Sequence, residues 1–67
     1  MQSLYDFIIG SLSKDIQTVI VINDRTHYIF NDGDEIEAGW ALLYNVDEII
    51  SENYNSVIVK VKYFDEN

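Results

Sequence analysis

The chain has 67 residues and carries twelve Asp and Glu against four Lys and Arg, which gives a formal net charge of −8 at pH 7. Such a surface repels nucleic acids, nucleotides and anionic membranes, and it attracts basic clefts, including those that normally hold a DNA or RNA backbone. There is no cysteine to form a disulfide or bind zinc, and no run approaches the roughly 18 apolar residues of a membrane span, so the composition predicts a cytoplasmic protein.

The length leaves room for one domain, residues 1–67, with one modest core. Chains of this size bury only about 60% of the surface that they expose when unfolded, so they are marginally stable alone. A composition of 48% hydrophobic and 13% aromatic residues is nevertheless that of a folded protein rather than a disordered acidic tail. We therefore expect a small folded domain that gains stability by forming a homodimer.

The first predicted element is a helix over residues 2–12, in which apolar side chains recur at helical spacing and Ser3 can cap the N-terminus. The apolar positions are Leu4, Phe7, Ile8 and Leu12. A β-hairpin follows, because residues 16–22 are rich in β-branched side chains, residues 23–25 favour a turn, and residues 26–30 resume the β pattern. The chain is thus predicted to begin with a helix and two antiparallel strands.

A second helix is predicted after the turn at residues 31–34, with Asp34 as its cap. Its first turn would hold three carboxylates, which the helix dipole favours: Asp34, Glu35 and Glu37. Its apolar face would hold Ile36, Trp40 and Leu43. Gly39 inside this helix indicates either close packing or a break.

In the remaining residues, one segment has a clear two-residue period and the secondary structure of another is ambiguous. Residues 46–52 are compatible with a short helical turn capped by Asn45, or with an ordered connection. Residues 57–63 alternate apolar and polar side chains, which predicts a strand whose solvent side, or exposed edge, carries Lys60 and Lys62. The predicted fold class is α+β, with a small antiparallel three-stranded sheet and packed helices in the order α-β-β-α-(α)-β.

Residues that carry catalysis or bind metals are sparse. His27 is the only histidine, and no nucleophile accompanies it in a recognisable pattern. The carboxylates around Gly33, within residues 31–37, suggest calcium, but the early positions of an EF-hand loop would fall on Tyr28 and Phe30. A turn followed by a helix start explains the same residues. We therefore predict no enzyme, no cofactor and no metal site.

Trp40 and Tyr44 are four residues apart and are predicted to share one helical face. A core position is the simplest interpretation of Trp40. Tyr44 fits a core position or a binding patch equally well, because aromatic residues with one polar end are enriched in interfaces.

Several short motifs combine into a family resemblance over about residues 18–63. The predicted hairpin is followed by residues 40–44 (Trp-Ala-Leu-Leu-Tyr), then by residues 47–50 (Asp-Glu-Ile-Ile) and a final strand. In this order the chain resembles the small uracil-DNA glycosylase inhibitors of Bacillus-infecting, protein-primed phages. In that family a helix carries an aromatic residue, an acid, two aliphatic residues and a Tyr before an Asp-Glu-Ile-Ile run. Ala41 stands where the family has the acid, and Glu37 lies one helical turn earlier.

The resemblance implies a homodimer that mimics the DNA backbone and occupies the basic DNA-binding groove of a host uracil-DNA glycosylase. An apolar pocket would take up the enzyme's DNA-intercalating side chain. The residues that this implies for the pocket or the dimer seam are Trp40, Leu43 and Tyr44. The implied phosphate surrogates are Asp34, Glu35, Glu37, Asp47 and Glu48, with Asp32 and Glu52 as further candidates.

Two other classes of function stay open. An acidic mimic of DNA would serve equally against another host defence enzyme, in the manner of an anti-CRISPR or anti-restriction protein. Alternatively, the chain is a structural or regulatory interaction module whose acidity serves only solubility. The salt dependence of association distinguishes these classes of function. Mimicry predicts association with a basic partner that slows steeply as ionic strength rises, whereas an apolar contact is largely indifferent to salt.

Overall fold

Residues 2–12 and 16–65 are described by a computed structural model of the chain, which has an α+β fold. In chain order its elements are α1 (Leu4–Leu12), β1 (Thr18–Asn23), β2 (Thr26–Asn31), α2 (Ala38–Ala41), β3 (Tyr44–Glu52) and β4 (Ser56–Tyr63). The predictions of the first helix, the hairpin and the last strand are confirmed. In these two stretches of the chain, no helix is long and apolar enough to cross a membrane.

The described strands form one mixed, four-stranded sheet in the order β2-β1-β4-β3. The pairs β1–β2 and β3–β4 are antiparallel, whereas β1 and β4 run parallel at the centre. The prediction of three antiparallel strands is therefore wrong in the number of strands and in the direction of the central pair. Lys60 and Lys62 do not guard a sheet edge, because β4 is an inner strand.

Strand β3 occupies residues 46–52, where a helical turn or an ordered connection was expected. Two register shifts interrupt its pairing with β4, one between Val46 and Glu48 and the other between Ile49 and Ser51. Such irregularities set extra residues against the neighbouring strand, and they break the two-residue alternation by which a strand is recognised in a sequence. Asn45, predicted as a helix cap, instead lies in β3 opposite Lys62.

Helix α2 is much shorter than the helix predicted from Asp34 to Leu43. It begins after Glu37, whose backbone is extended, and it ends at Ala41. The Asp34 carboxylate accepts a hydrogen bond from the Asn31 N–H at 2.7 Å, so it closes the turn after β2 instead of capping a helix. The three carboxylates predicted for the first helical turn therefore precede the helix: Asp34, Glu35 and Glu37.

The core lies on one face of the sheet, beneath the helices. Helix α1 buries Leu4 and Ile8 against valines of the two central strands. The buried valines are Val19 and Val21 of β1 and Val57, Val59 and Val61 of β4. Full burial of each of these side chains contributes roughly 1.5–3 kcal/mol. Ser3 caps α1 as predicted, because its Oγ accepts a hydrogen bond from the Asp6 N–H at 3.2 Å.

Candidate partner-binding site

Four exposed carboxylates lie in the connection between β2 and α2, which we call the acidic segment (residues 32–37). They belong to Asp32, Asp34, Glu35 and Glu37, and the segment contains no basic residue. At its start the Asp32 N–H donates to the Gln17 carbonyl at 2.8 Å. Further along, Ile36 is half-buried and packs against the core. The carboxylates are therefore displayed on a backbone that is anchored at both ends.

The charge density of the acidic segment approaches that of a DNA strand. Three carboxylates fall within residues 34–37, a stretch that spans at most about 14 Å when fully extended. One strand of DNA carries a phosphate charge about every 3.4 Å along the helix axis, or about four charges over that length. A groove built for DNA would therefore meet at least about three quarters of the charge of one strand along residues 34–37, and at least about two thirds along the whole segment.

An aromatic cluster holds α2 on the sheet directly after the acidic segment. Around the Trp40 ring, the ring centroids of Tyr28, Tyr44 and Phe30 lie 4.8, 5.3 and 5.8 Å away. Each tilted pair of this kind contributes about 0.5–1.5 kcal/mol beyond the area that it buries. Trp40 is half-buried and packs against the core without belonging to its buried cluster.

Tyr44, a member of this aromatic cluster, is buried at the first position of β3, with 5% of its area exposed. The prediction that it shares a helix with Trp40 is wrong, although the two rings do touch. Its hydroxyl accepts a hydrogen bond from the Asn23 Nδ2 at 3.3 Å, and its ring stacks on Tyr63 with centroids 5.0 Å apart. A side-chain hydrogen bond with Tyr63, together with burial, raises the pKa of the Tyr44 phenol above its ordinary value.

An apolar patch borders the aromatic cluster where β3 begins and β4 ends. Its members are Leu42, Leu43, Tyr63 and Phe64, with exposed fractions from 42% to 58%. The Phe64 N–H donates to the Leu43 carbonyl at 2.9 Å, which holds the two chain segments side by side. Exposed apolar side chains grouped in this way are typical of partner-binding surfaces. Sequence reasoning found only Leu43, because the pairing of two distant segments brings the others beside it.

Asp47 and Glu48 lie apart from the acidic segment, on the side of the sheet that carries the two lysines. The Asp47 carboxylate is 3.9 Å from the Lys60 Nζ and 3.8 Å from the Lys62 Nζ. Glu48 lies opposite Lys60 in the pairing of β3 with β4. Exposed ion pairs of this kind contribute little to stability, but they partly neutralise the Asp47 carboxylate. The structure therefore does not bring Asp47 and Glu48 together with the other predicted site residues.

The remaining predicted site residues lie close together in the chain, around α2. Asp34, Glu35 and Glu37 lead into the helix that carries Trp40, and Leu43 follows it. Among the described residues there is no group of three or more His, Cys, Asp or Glu that could hold a metal ion.

No protein-family model, curated protein or solved structure matches this chain. Its function is therefore inferred from its own charges, contacts and exposed side chains. Two adjacent features carry chemistry that a partner can recognise, namely the acidic segment and the apolar patch.

Proposed function

We propose that this protein inhibits a DNA-binding enzyme by mimicking the DNA backbone, and that the enzyme is uracil-DNA glycosylase. The observation that carries the proposal is the acidic segment, which displays four carboxylates with no cation among them. Its charge density, close to that of one DNA strand, suits the groove of such an enzyme. The sequence resemblance of residues 40–44 and 47–50 is the reason for naming uracil-DNA glycosylase, although the helix of the family ends here at Ala41 and Tyr44 begins a strand.

In this complex the acidic segment lies along the enzyme's basic groove. Asp34, Glu35 and Glu37 accept the charge-assisted hydrogen bonds that phosphates otherwise receive. Attraction between the −8 chain and the basic groove also raises the rate of association. Because Ile36 and Trp40 anchor the segment from below, little conformational entropy is lost when it binds. The carboxylates thus raise the association rate and orient the protein in the groove.

The apolar patch supplies the contact that slows dissociation. Leu42, Leu43 and Phe64 are exposed in the free protein, and burying them against apolar side chains of the enzyme removes them from water. Binding energy in interfaces is concentrated in such fully desolvated anchors, whereas charges at the rim mainly affect association. Asp47 and Glu48 have a smaller role in this arrangement, because they lie apart from the acidic segment and the two lysines pair with Asp47.

The first experiment mixes the purified protein with a bacterial uracil-DNA glycosylase and follows uracil excision from a labelled oligonucleotide. We expect stoichiometric loss of excision. Native mass spectrometry of the complex counts the copies bound per enzyme, and a dimeric mimic predicts two. Full excision in the presence of excess protein would rule out this enzyme as the target.

Variants connect the inhibition to the acidic segment. Glu35→Gln combined with Glu37→Gln should weaken inhibition, because it removes two of the four carboxylates. Lys62→Ala should inhibit as the wild type does. Lys62 lies away from the acidic segment, and Asp47, with which it forms an ion pair, is also paired with Lys60. Equal inhibition by all three proteins would contradict the assigned role of the segment.

A further inference from the structure

The face of the sheet away from the helices carries apolar side chains where polar ones are usual. We call it the open face, and its central positions are Ile20 and Ile22 of β1, Ile29 of β2 and Ile58 of β4. None of these four belongs to the core cluster or to the residues packed against it; Ile29 is 61% exposed, and the other three are half-buried. A sheet with one solvated face normally places polar residues outward. Apolar outward positions are instead typical of a surface that a partner covers.

Three of the isoleucines form a continuous row across the sheet. Ile20 pairs with Ile29 on one side and with Ile58 on the other. Side chains paired across neighbouring strands stand about 5 Å apart, so the row makes one apolar ridge rather than a set of scattered exposed residues.

The rim of the open face carries lysines as well as carboxylates. Lys60 is paired with Ile22 on one side and with Glu48 on the other. Lys62 is the next outward residue of β4, and the Asp47 carboxylate lies within 4 Å of both lysines. Two of the four Lys and Arg in the chain therefore flank the isoleucine row, beside Asp47 and Glu48, and Asp24 lines the same depression as the lysines.

We propose that the open face is where two copies of this chain associate. A basic enzyme is attracted to the acidic segment rather than to a face bearing two lysines, and nucleic acid is repelled by the net charge. A second copy meets less repulsion here than at the acidic segment. In a two-fold interface the same patch meets itself, so Lys60 and Lys62 can face Asp47 and Glu48 of the second copy while the isoleucine rows pack together.

The open face is small, so the dimer is expected to be weak. Strands spaced about 4.8 Å apart give a four-stranded sheet a width of about 19 Å, and six residues extend about 20 Å along it. Such a face covers about 380 Å² on each copy, about 760 Å² in total, which is below the range of stable specific complexes and within that of weak, transient ones. We therefore expect a dissociation constant in the micromolar range.

Salt distinguishes this association from the binding of a basic enzyme. Two copies of charge −8 repel each other at long range, while the contact itself is largely apolar and its rim carries both lysines and carboxylates. Screening by salt therefore strengthens the dimer, whereas it weakens the binding of the acidic segment to a basic groove. The dimer does not rest on the proposed function. If the dimer fails, the prediction of two copies per enzyme fails with it, whereas inhibition by a single copy remains possible to observe.

Sedimentation equilibrium of the full chain, from about 1 to about 500 µM, tests the proposal with two matched variants. Ile29→Asp places a charge on the open face, and Ile9→Asp places the same charge on α1, where Ile9 is 46% exposed. We expect the wild type and Ile9→Asp to dimerise alike, and Ile29→Asp to dimerise at least about tenfold more weakly.

Two results would overturn the proposal: a wild type that is monomeric throughout the range, or equal weakening by both variants. Circular dichroism checks that each variant is folded. If Ile29→Asp does not fold, Ile29→Thr keeps the β-branched side chain and takes its place in the comparison. A dimer that weakens as salt is added would also contradict the assigned interface.

Discussion

Neutralising two carboxylates of the acidic segment shows whether their position matters or only the net charge. Glu35→Gln with Glu37→Gln changes the net charge from −8 to −6 and leaves the turn closed by Asp34 intact. The matched control is Asp6→Asn with Asp24→Asn, which changes the charge equally at exposed positions on α1 and in the β1–β2 turn. Asn tolerates the positive φ of 54° found at Asp24.

The expected decrease in the association rate follows from the number of carboxylates in the segment. Electrostatic steering raises association rates by about 10-fold to about 1,000-fold. If the four carboxylates supply this enhancement equally, removing two of them halves its logarithm, so the rate constant falls by about 3-fold to about 30-fold. The control pair changes only the weaker field from more distant positions, and we expect it to lower the rate less than about twofold.

Stopped-flow measurement of binding to uracil-DNA glycosylase at low ionic strength gives these rate constants. Repeating it at high ionic strength should bring the wild type and both double variants together, because salt screens the attraction. Equal decreases in the two double variants would refute the reasoning, since they would show that net charge acts without regard to position.

Three further predictions concern the surface and its support. Trp40→Ala should lower the free energy of unfolding by about 2–4 kcal/mol in a urea titration, because it removes three ring contacts at a half-buried position; an unchanged urea midpoint would contradict the role of Trp40. Phe64→Ala should speed dissociation from the enzyme while leaving the urea midpoint nearly unchanged, because its side chain is largely exposed; a large loss of stability would show that Phe64 belongs to the core. Because the pKa of Tyr44 is raised in the folded protein, the unfolded chain loses this proton first, and stability should decline as pH rises above about 10. Thermal unfolding should show a shallower decline for Tyr44→Phe, and identical slopes would disprove the assignment.

The sequence predicted those elements whose periodicity is uninterrupted. Helix α1 shows a full helical stripe, and β4 alternates buried valines with outward residues along its length. Strand β3 was missed because its pairing shifts register twice, so its apolar and polar residues follow no single period. The second helix was predicted too long, because Asp34 bonds to the turn before it and Glu37 is extended.

The acidic segment and the apolar patch also differ in how well the sequence predicts them. Asp34, Glu35 and Glu37 are adjacent in the sequence, so their concentration of charge could be predicted without a structure. The apolar patch depends on the pairing of β3 with β4, which sets Phe64 beside Leu43. No local pattern predicts that contact, because it joins segments that are distant in the chain.

Because the two central strands pair in parallel, folding requires contacts between residues that are close in the chain and contacts between residues that are far apart in it. Within β1–β2 and β3–β4 each strand reaches its partner through a short turn, so both hairpins close small loops. The parallel pair instead joins Thr18 to Ser56 and Val21 to Val59, and closing so long a loop costs more chain entropy. The valines along this seam come from both hairpins, so neither has a buried core until the two dock. Docking of the two halves is therefore the step expected to limit folding, and a hairpin left alone exposes strand edges to other copies.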